Sequence, residues 1–206
     1  MREIVKNGKT VSNKKLHKRQ FKLAIVFAFI IGSVAGYGTA VYHQSQTVDK
    51  SSDSQIHIRF SPRGGCIKFI NQAIERAQQQ ILVQAYAFTS AAIAKTLIDA
   101  HKRGVAVKIL VDRSQLTGKG SQVKRIYDSG IPIAIDVVPG IAHNKLMIID
   151  DMYVFTGSFN WTNAAEYRNA ENLVLIRDKE VNRIYRENWK KRASTAMAIN
   201  LDKQMP

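Results

Sequence analysis

The run His143-Asn144-Lys145-Leu146-Met147-Ile148-Ile149-Asp150, followed closely by Gly157-Ser158-Phe159-Asn160, decides the fold of this chain. From Lys145 to Ile149 the run is almost continuously apolar, which predicts a buried strand. Tyr153 to Thr156 is a second short run of β-prone residues. With a two-residue turn at Asp151-Met152, the two runs form an antiparallel hairpin.

The predicted hairpin brings four polar side chains together at its open end. In this register Lys145 lies opposite Ser158, and His143 lies opposite Asn160. Residues two apart on a strand share a face, so the four side chains converge on one patch. Asp150 lies at the turn end of the hairpin, away from them.

The patch suits a phosphodiester. Lys145 supplies a cation, Asn160 an amide donor and Ser158 a hydroxyl, and together they can hold an anion with tetrahedral oxygens. Gly157 allows the backbone to approach closely. His143 supplies a nucleophile or general base that works near neutral pH. The sequence near these residues offers no carboxylate cluster or Cys/His pair, so we expect phosphoryl chemistry without a metal or other cofactor.

The spacing of these residues is more informative than any one of them. His143 or Lys145 alone is typical of an ordinary strand end. Six specified residue types at fixed spacing arise by chance in a chain of this length only about a few times in a million. The pattern therefore indicates a functional site.

The pattern resembles the HKD motif of the phospholipase D superfamily. His143-x-Lys145-x4-Asp150-x6-Gly157-Ser158-x-Asn160 matches that motif at every specified position. Three further stretches are similar to the small, single-motif bacterial members, the nuclease-type branch: Ile58 to Pro62, Val111 to Gln115, and Glu171-Asn172. The resemblance covers roughly Ile56 to Trp189.

The chain contains one HxKx4D motif, and this has a mechanistic consequence. Phosphodiester transfer through a covalent intermediate needs one group that attacks phosphorus and a second that protonates the leaving oxygen and later activates water. The family places two motifs across a twofold axis. A chain with one His143 must take the second from another copy, which predicts a homodimer with a shared active site.

The resemblance also implies residue roles. His143 of one protomer forms a phosphohistidine, while Lys145 and Asn160 of both protomers hold the non-bridging oxygens with the help of Ser158. Glu171 orients the imidazole through a hydrogen bond. Asp150, although part of the motif, is expected to be a structural residue of the turn.

The remaining pattern predicts an α/β fold. Strands alternate with helices, which indicates a central sheet flanked by helices, and the resemblance implies that the sheet is mixed. One hydrophobic helix precedes the domain. We expect five segments: a basic tail (1–22), a membrane anchor or signal (23–42), a polar linker (43–55), a phospholipase D-like catalytic domain (56–192) and a C-terminal tail (193–206).

The N-terminal segment predicts export. Residues 1–22 carry eight Lys and Arg against one acid, and the next 19 residues, Leu23 to Val41, carry no charge. As a helix they span about 28 Å, enough for a hydrocarbon core. The positive flank predicts a cytoplasmic N-terminus with the catalytic domain outside. An uncleaved anchor and a cleaved signal, which would release a periplasmic or secreted protein, both remain open.

The net charge of +15 favours a polyanionic partner, either nucleic acid or an anionic membrane surface. Three functions follow. The first is a nonspecific endonuclease acting on DNA, and also on RNA. The second is a phospholipase D that hydrolyses phosphatidylcholine-type lipids. The third is an inactive, membrane-tethered nucleic-acid-binding protein, against which the intact motif argues.

Overall fold

The computed structural model describes residues 22, 32–33 and 55–199. Residues 22 and 32–33 are helical and exposed. The predicted membrane segment 23–41 otherwise lies outside the described residues, as do most of the tail 1–22 and of the linker 43–55. Within the described part, no helix has the length and apolar character needed to cross a bilayer.

Residues 55–199 build an eight-stranded mixed sheet, which confirms the predicted fold class. The strand order is β1-β7-β6-β5-β2-β3-β4-β8. Strands β2, β3 and β4 run parallel to one another, and every other neighbouring pair is antiparallel. The elements in chain order are β1 (Gln55–Ser61), α1 (Cys66–Arg76), β2 (Gln80–Ala85), α2 (Ala91–Lys102), β3 (Ala106–Val111), a 3-10 turn (Arg113–Leu116), α3 (Val123–Tyr127), β4 (Ile133–Ile135), β5 (Lys145–Ile149), β6 (Tyr153–Gly157), α4 (Asn163–Tyr167), β7 (Glu171–Arg177), α5 (Lys179–Ala193) and β8 (Met197–Ala198).

Helices cover both faces of the sheet. The larger core lies under α1 to α4, where alternate residues of the central strands meet the apolar faces of these helices. The inner face of α1 carries Ile67, Ile70 and Ile74, which are buried. The smaller core lies under α5, where Trp189 packs among alternate residues of β2, β3, β5 and β6. Burial of β5 on both faces explains why its sequence is almost continuously apolar.

Local sequence signals set the helix ends. Ser90 caps α2, because its side chain accepts a hydrogen bond from the Ile93 N–H. Asp178 caps α5 in the same way and accepts from the N–H groups of Glu180 and Val181. Strands and helices alternate through most of the domain, as the sequence pattern predicts.

The predicted register of the hairpin is wrong by one residue. Ile149 pairs with Tyr153 and Met147 with Phe155, so the turn has three residues and not two. Continued toward the open end, this register would set Lys145 opposite Gly157 and not opposite Ser158, but the pairing itself ends at Met147 and Phe155. The reason for the shifted register is Asp150, which adopts a left-handed conformation (φ 52°) and does not pair with β6. Its carboxylate instead accepts hydrogen bonds from the N–H groups of residues 78–80.

The sheet continues beyond α5. Residues 197–198 form β8, which pairs antiparallel with β4. This two-residue strand lies past residue 192, where the sequence pattern of the catalytic domain ends. Its short length and exposed side chains leave no periodic signal in the sequence.

Candidate active site

The candidate site lies at one edge of the sheet, where several strands begin or end. Lys145 is the first residue of β5, Gly157 the last of β6 and Glu171 the first of β7. The pairing of β5 with β6 stops at Met147 and Phe155, so the two strands separate toward this edge. The site thus collects loops from distant parts of the chain around the open end of the hairpin.

Two backbone hydrogen bonds fix the segment that carries His143. The Ala142 N–H donates to the buried carboxylate of Asp112 (2.8 Å), which follows β3. The Tyr86 N–H, at the end of β2, donates to the carbonyl of Asn144 (3.1 Å). The main chain on either side of His143 is therefore held to the neighbouring strands, while the side chain of His143 is exposed.

Lys145 is buried, with 8% of its surface exposed. Its Nζ donates to the carbonyl of His143 (2.7 Å). Burial lowers the pKa of the Lys145 ammonium below its ordinary value, and the negative charge of Glu171 opposes this shift. The structure thus brings the predicted cation next to the predicted nucleophile and near the carboxylate of Glu171.

The segment from Gly157 to Asn160 is held by β7. Gly157 has φ 140°, and a Cβ on it would collide with the carbonyl oxygen of Asn172. That oxygen accepts from the N–H groups of Ser158 (3.1 Å) and Phe159 (3.2 Å). The Ser158 Oγ accepts from the Asn172 N–H (3.0 Å), which leaves the Ser158 O–H available as a donor.

Asn160 is a partly buried residue of the site. Its Oδ1 is buried and has no hydrogen-bond partner in the described part of the chain. An unpartnered buried acceptor costs roughly 1–3 kcal/mol. The next residue, Trp161, is held in place because its indole N–H donates to the carbonyl of Gln84 (3.1 Å).

Glu171 does not form the hydrogen bond to His143 that the resemblance implies. Its carboxylate accepts from the Asn169 side-chain N–H (2.9 Å), and its effect on the site is the charge it presents to Lys145. The reason is position: Glu171 begins β7 and pairs with Ser61 of β1, whereas His143 lies beyond the other side of β6. Asp150 lies at the opposite end of the hairpin, bound to residues 78–80, in accordance with a structural role.

The structure therefore brings the Lys145 ammonium against the His143 backbone, and it places Ser158 and Asn160 just beyond the end of the neighbouring strand β6. Among residues 22, 32–33 and 55–199, no three His, Cys, Asp or Glu side chains are grouped so that they could hold a metal ion. Sequence reasoning missed two residues of the site, Tyr86 and Asp112. Their place follows from strand pairing across about 30 to 60 residues, although Asp112 lies within a stretch that already resembled the family.

A family model, a relative and a solved structure all indicate the same family. The family model described as "Cardiolipin synthase, PLD-like domain" matches residues 70–192. The chain is 39% identical over 196 residues to "Phospholipase D" of Rickettsia prowazekii. This match covers 86% of this chain and 96% of that protein. Among solved structures, it is similar to a phospholipase D family member, Nuc from Salmonella typhimurium, with TM-score 0.68 and 36% identity over 72% of this chain and 99% of that chain. Residues 70–192 contain every member of the candidate site.

Proposed function

The chain belongs to the phospholipase D superfamily and is a phosphodiesterase, and we propose that it is a metal-independent endonuclease that cleaves DNA, and also RNA, without sequence specificity. The observation that carries this proposal is the combination of the histidine site with four exposed cations on the loops at the site edge, here called the basic rim: Arg63, Arg113, Lys119 and Arg168.

The chemistry runs in two steps. An imidazole nitrogen of His143 attacks phosphorus and forms a P–N bond, while the bond from phosphorus to the leaving oxygen breaks. The His143 of a second protomer gives that oxygen its proton. In the second step the His143 of the second protomer takes a proton from water. The resulting hydroxide attacks phosphorus, and the P–N bond to the first His143 breaks.

The charge of the phosphate is held by fixed donors. Lys145 supplies a cation, and Asn160 and Ser158 supply an amide N–H and an O–H. The burial of Lys145 supports this role, because a buried cation interacts with a phosphate oxygen more strongly than an exposed one does. Donors of this kind do what a divalent ion does in other phosphodiesterases, and we therefore expect activity in excess EDTA.

The charge of the described domain supports a nucleic-acid substrate. Residues 55–199 contain 21 Lys and Arg against 12 Asp and Glu, a net of +9. Four exposed cations lie on the loops at the site edge, and no salt bridge joins them to a described acid: Arg63, Arg113, Lys119 and Arg168. A polyanion that crosses the site can therefore meet unpaired cations on both sides of the scissile phosphate.

Exposed apolar side chains support the proposed homodimer. Ile141, two residues from His143, is 60% exposed, and Phe60, at the site end of β1, is 67% exposed. Ile56 and Ile58 continue the exposed apolar row along the same edge strand. A second copy seated on these residues would cover them and bring the second His143 to the site.

A phospholipid substrate is the second candidate. It is favoured by the relatives called "Phospholipase D", which match most of this chain, and by the apolar segment 23–41 proposed as a membrane anchor. With that anchor retained, the catalytic domain would act outside the cytoplasm at the membrane surface. The same histidine chemistry serves both substrates, so the motif does not distinguish them.

One experiment separates the candidates. The full chain, purified in mild detergent, is incubated in excess EDTA with plasmid DNA, with single-stranded RNA and with phosphatidylcholine vesicles. We expect nicked and then fragmented DNA, RNA cleavage, and little release of choline. Choline release without DNA cleavage would establish the lipid substrate. Activity abolished by EDTA and restored by magnesium would overturn the metal-free mechanism.

A further inference from the structure

Tyr86 contacts both central residues of the site. Its ring centroid lies 4.4 Å from that of His143, with the two planes tilted by 53°. The Nζ of Lys145 lies 4.8 Å from the centroid of the same ring. One aromatic side chain thus touches the proposed nucleophile and the proposed phosphate-binding cation together.

The backbone fixes the place of this ring. Tyr86 directly follows β2, whose last residue, Ala85, pairs with Lys145. The Tyr86 N–H donates to the carbonyl of Asn144 (3.1 Å), so the ring is anchored between His143 and Lys145. By contrast, no described residue forms a hydrogen bond with its hydroxyl. The contacts to the site are made by the aromatic face and edge.

This arrangement matters because His143 has little other support. Its imidazole is exposed and has no hydrogen bond to a described side chain, and Glu171 bonds to Asn169 instead. Lys145, in contrast, is also held by the sheet and by the carbonyl of His143. Removal of the ring would therefore free the imidazole more than the ammonium.

We propose that Tyr86 is a positioning residue of the phosphodiesterase site, whose ring holds the His143 imidazole in the orientation for attack and presents its π face to Lys145. This inference rests on the proposed role of His143. The role belongs to the ring and not to the phenol oxygen. A phenylalanine at position 86 should therefore preserve activity, whereas an aliphatic side chain of similar size should not.

The test compares Tyr86→Phe and Tyr86→Leu in the full chain, with bis(4-nitrophenyl) phosphate as substrate. This small diester requires neither DNA nor lipid binding. We expect Tyr86→Phe to keep kcat within about twofold and Tyr86→Leu to lose about tenfold to a hundredfold, because a misplaced nucleophile slows the chemical step. KM should change little, because Lys145 retains its other contacts.

Tyr153→Leu is the matched control. Tyr153 is a partly buried tyrosine at the turn end of the same hairpin, and its loss should leave kcat unchanged. A Tyr86→Leu variant with wild-type kcat, or a Tyr86→Phe variant that falls as far as Tyr86→Leu, would overturn the inference.

A second measurement needs no activity. In the NMR spectrum of the resting protein, the imidazole protons of His143 should carry a ring-current shift from Tyr86. Tyr86→Phe should preserve that shift and Tyr86→Leu should abolish it. Unchanged His143 signals in Tyr86→Leu would contradict the contact. If the wild type cleaves the small diester but not DNA, the proposed substrate fails while the role of Tyr86 stands.

Discussion

At the scale of single residues, the first prediction concerns His143→Asn. We expect a loss of kcat of at least about a thousandfold, because no other group of the protomer replaces an imidazole nucleophile. The fold should persist, since the side chain is exposed and its neighbour Lys145 bonds to the backbone carbonyl of residue 143. The melting temperature should change by about 2 °C or less. A variant with near-wild-type turnover on the small diester would exclude His143 as the nucleophile.

The second residue-scale prediction follows from the pKa of Lys145, which burial lowers. The charged ammonium binds the phosphate, so activity is present below this pKa and is lost as the pH rises through it. We expect the alkaline limb of kcat/KM to lie below about 10.4, the value of an unperturbed lysine. Lys145→Arg is the control, since the residual activity of a permanent cation should show no such limb. A wild-type profile that stays flat up to that pH would contradict the assignment.

Residue spacing alone placed four polar residues at the open end of the predicted hairpin. His143, Lys145, Ser158 and Asn160 lie at or next to strand ends at one edge of the sheet, although the register from which their convergence was predicted is wrong by one residue. Tyr86 could not be predicted in this way, since it reaches the site through the pairing of β2 with β5. Glu171 bonds to Asn169 and not to His143. The sequence pattern could not predict this partner, because strand and helix periodicity does not determine the course of the loops.

At the scale of elements, the hairpin shows what local signals leave open. Apolar runs predicted both strands, but the register depends on one residue of the turn. Asp150 is removed from the ladder by hydrogen bonds to residues 78–80, some 70 positions earlier in the chain. The strand order has the same character: β5 and β6 lie between β2 and β7 because of tertiary packing, which the alternation of strands and helices does not encode.

An element-scale prediction concerns the start of α1. Gly65 provides no side-chain cap, and the buried carboxylate of Glu166 accepts from the N–H groups of Gly65 (2.9 Å) and Ile67 (2.8 Å). A negative charge at this end also suits the helix dipole. Glu166→Gln removes the charge and turns an N–H toward one donor, so we expect a loss of about 1–3 kcal/mol in the free energy of unfolding.

Chemical denaturation of Glu166→Gln measures this loss. Glu75→Gln is the matched control, because Glu75 lies exposed in the same helix and its side chain makes no hydrogen bond with a described residue. It should leave the free energy of unfolding within about 0.5 kcal/mol of the wild type. Equal stability of the two variants would show that α1 does not depend on this cap.

At the scale of the whole molecule, the charge of the site edge yields a further prediction. The charges of two cations of the basic rim are reversed together, Arg113→Glu with Arg168→Glu. This change should raise KM for plasmid DNA about tenfold. The slope of the logarithm of DNA affinity against the logarithm of salt concentration should become shallower by about one unit per lost phosphate contact. Hydrolysis of bis(4-nitrophenyl) phosphate should be unaffected. Lys179→Glu, an exposed cation at the far end of the sheet, is the control. An unchanged KM for DNA would argue against this rim as the nucleic-acid surface.

The assembly is the property that depends on the molecule as a whole. One chain supplies one His143, whereas the proposed reaction uses one imidazole to attack and another to move protons. We therefore expect an active homodimer in which each site takes a histidine from both copies. Ile141, two residues from His143, is exposed and would offer an apolar contact at the proposed meeting point of the two copies.

Subunit mixing tests this assembly. Wild type and His143→Asn are refolded together at one part to three, so that random pairing leaves about one dimer in sixteen with two histidines. Activity per total protein should then fall to about that fraction, whereas independent protomers would retain about one quarter. Separately purified proteins mixed after folding, with no time to exchange, serve as the control and should retain one quarter. Activity that falls only to one quarter in the refolded mixture would contradict the shared site, as would full activity in a monomer at low concentration. His57 or His101 would then be the candidates for the second proton carrier.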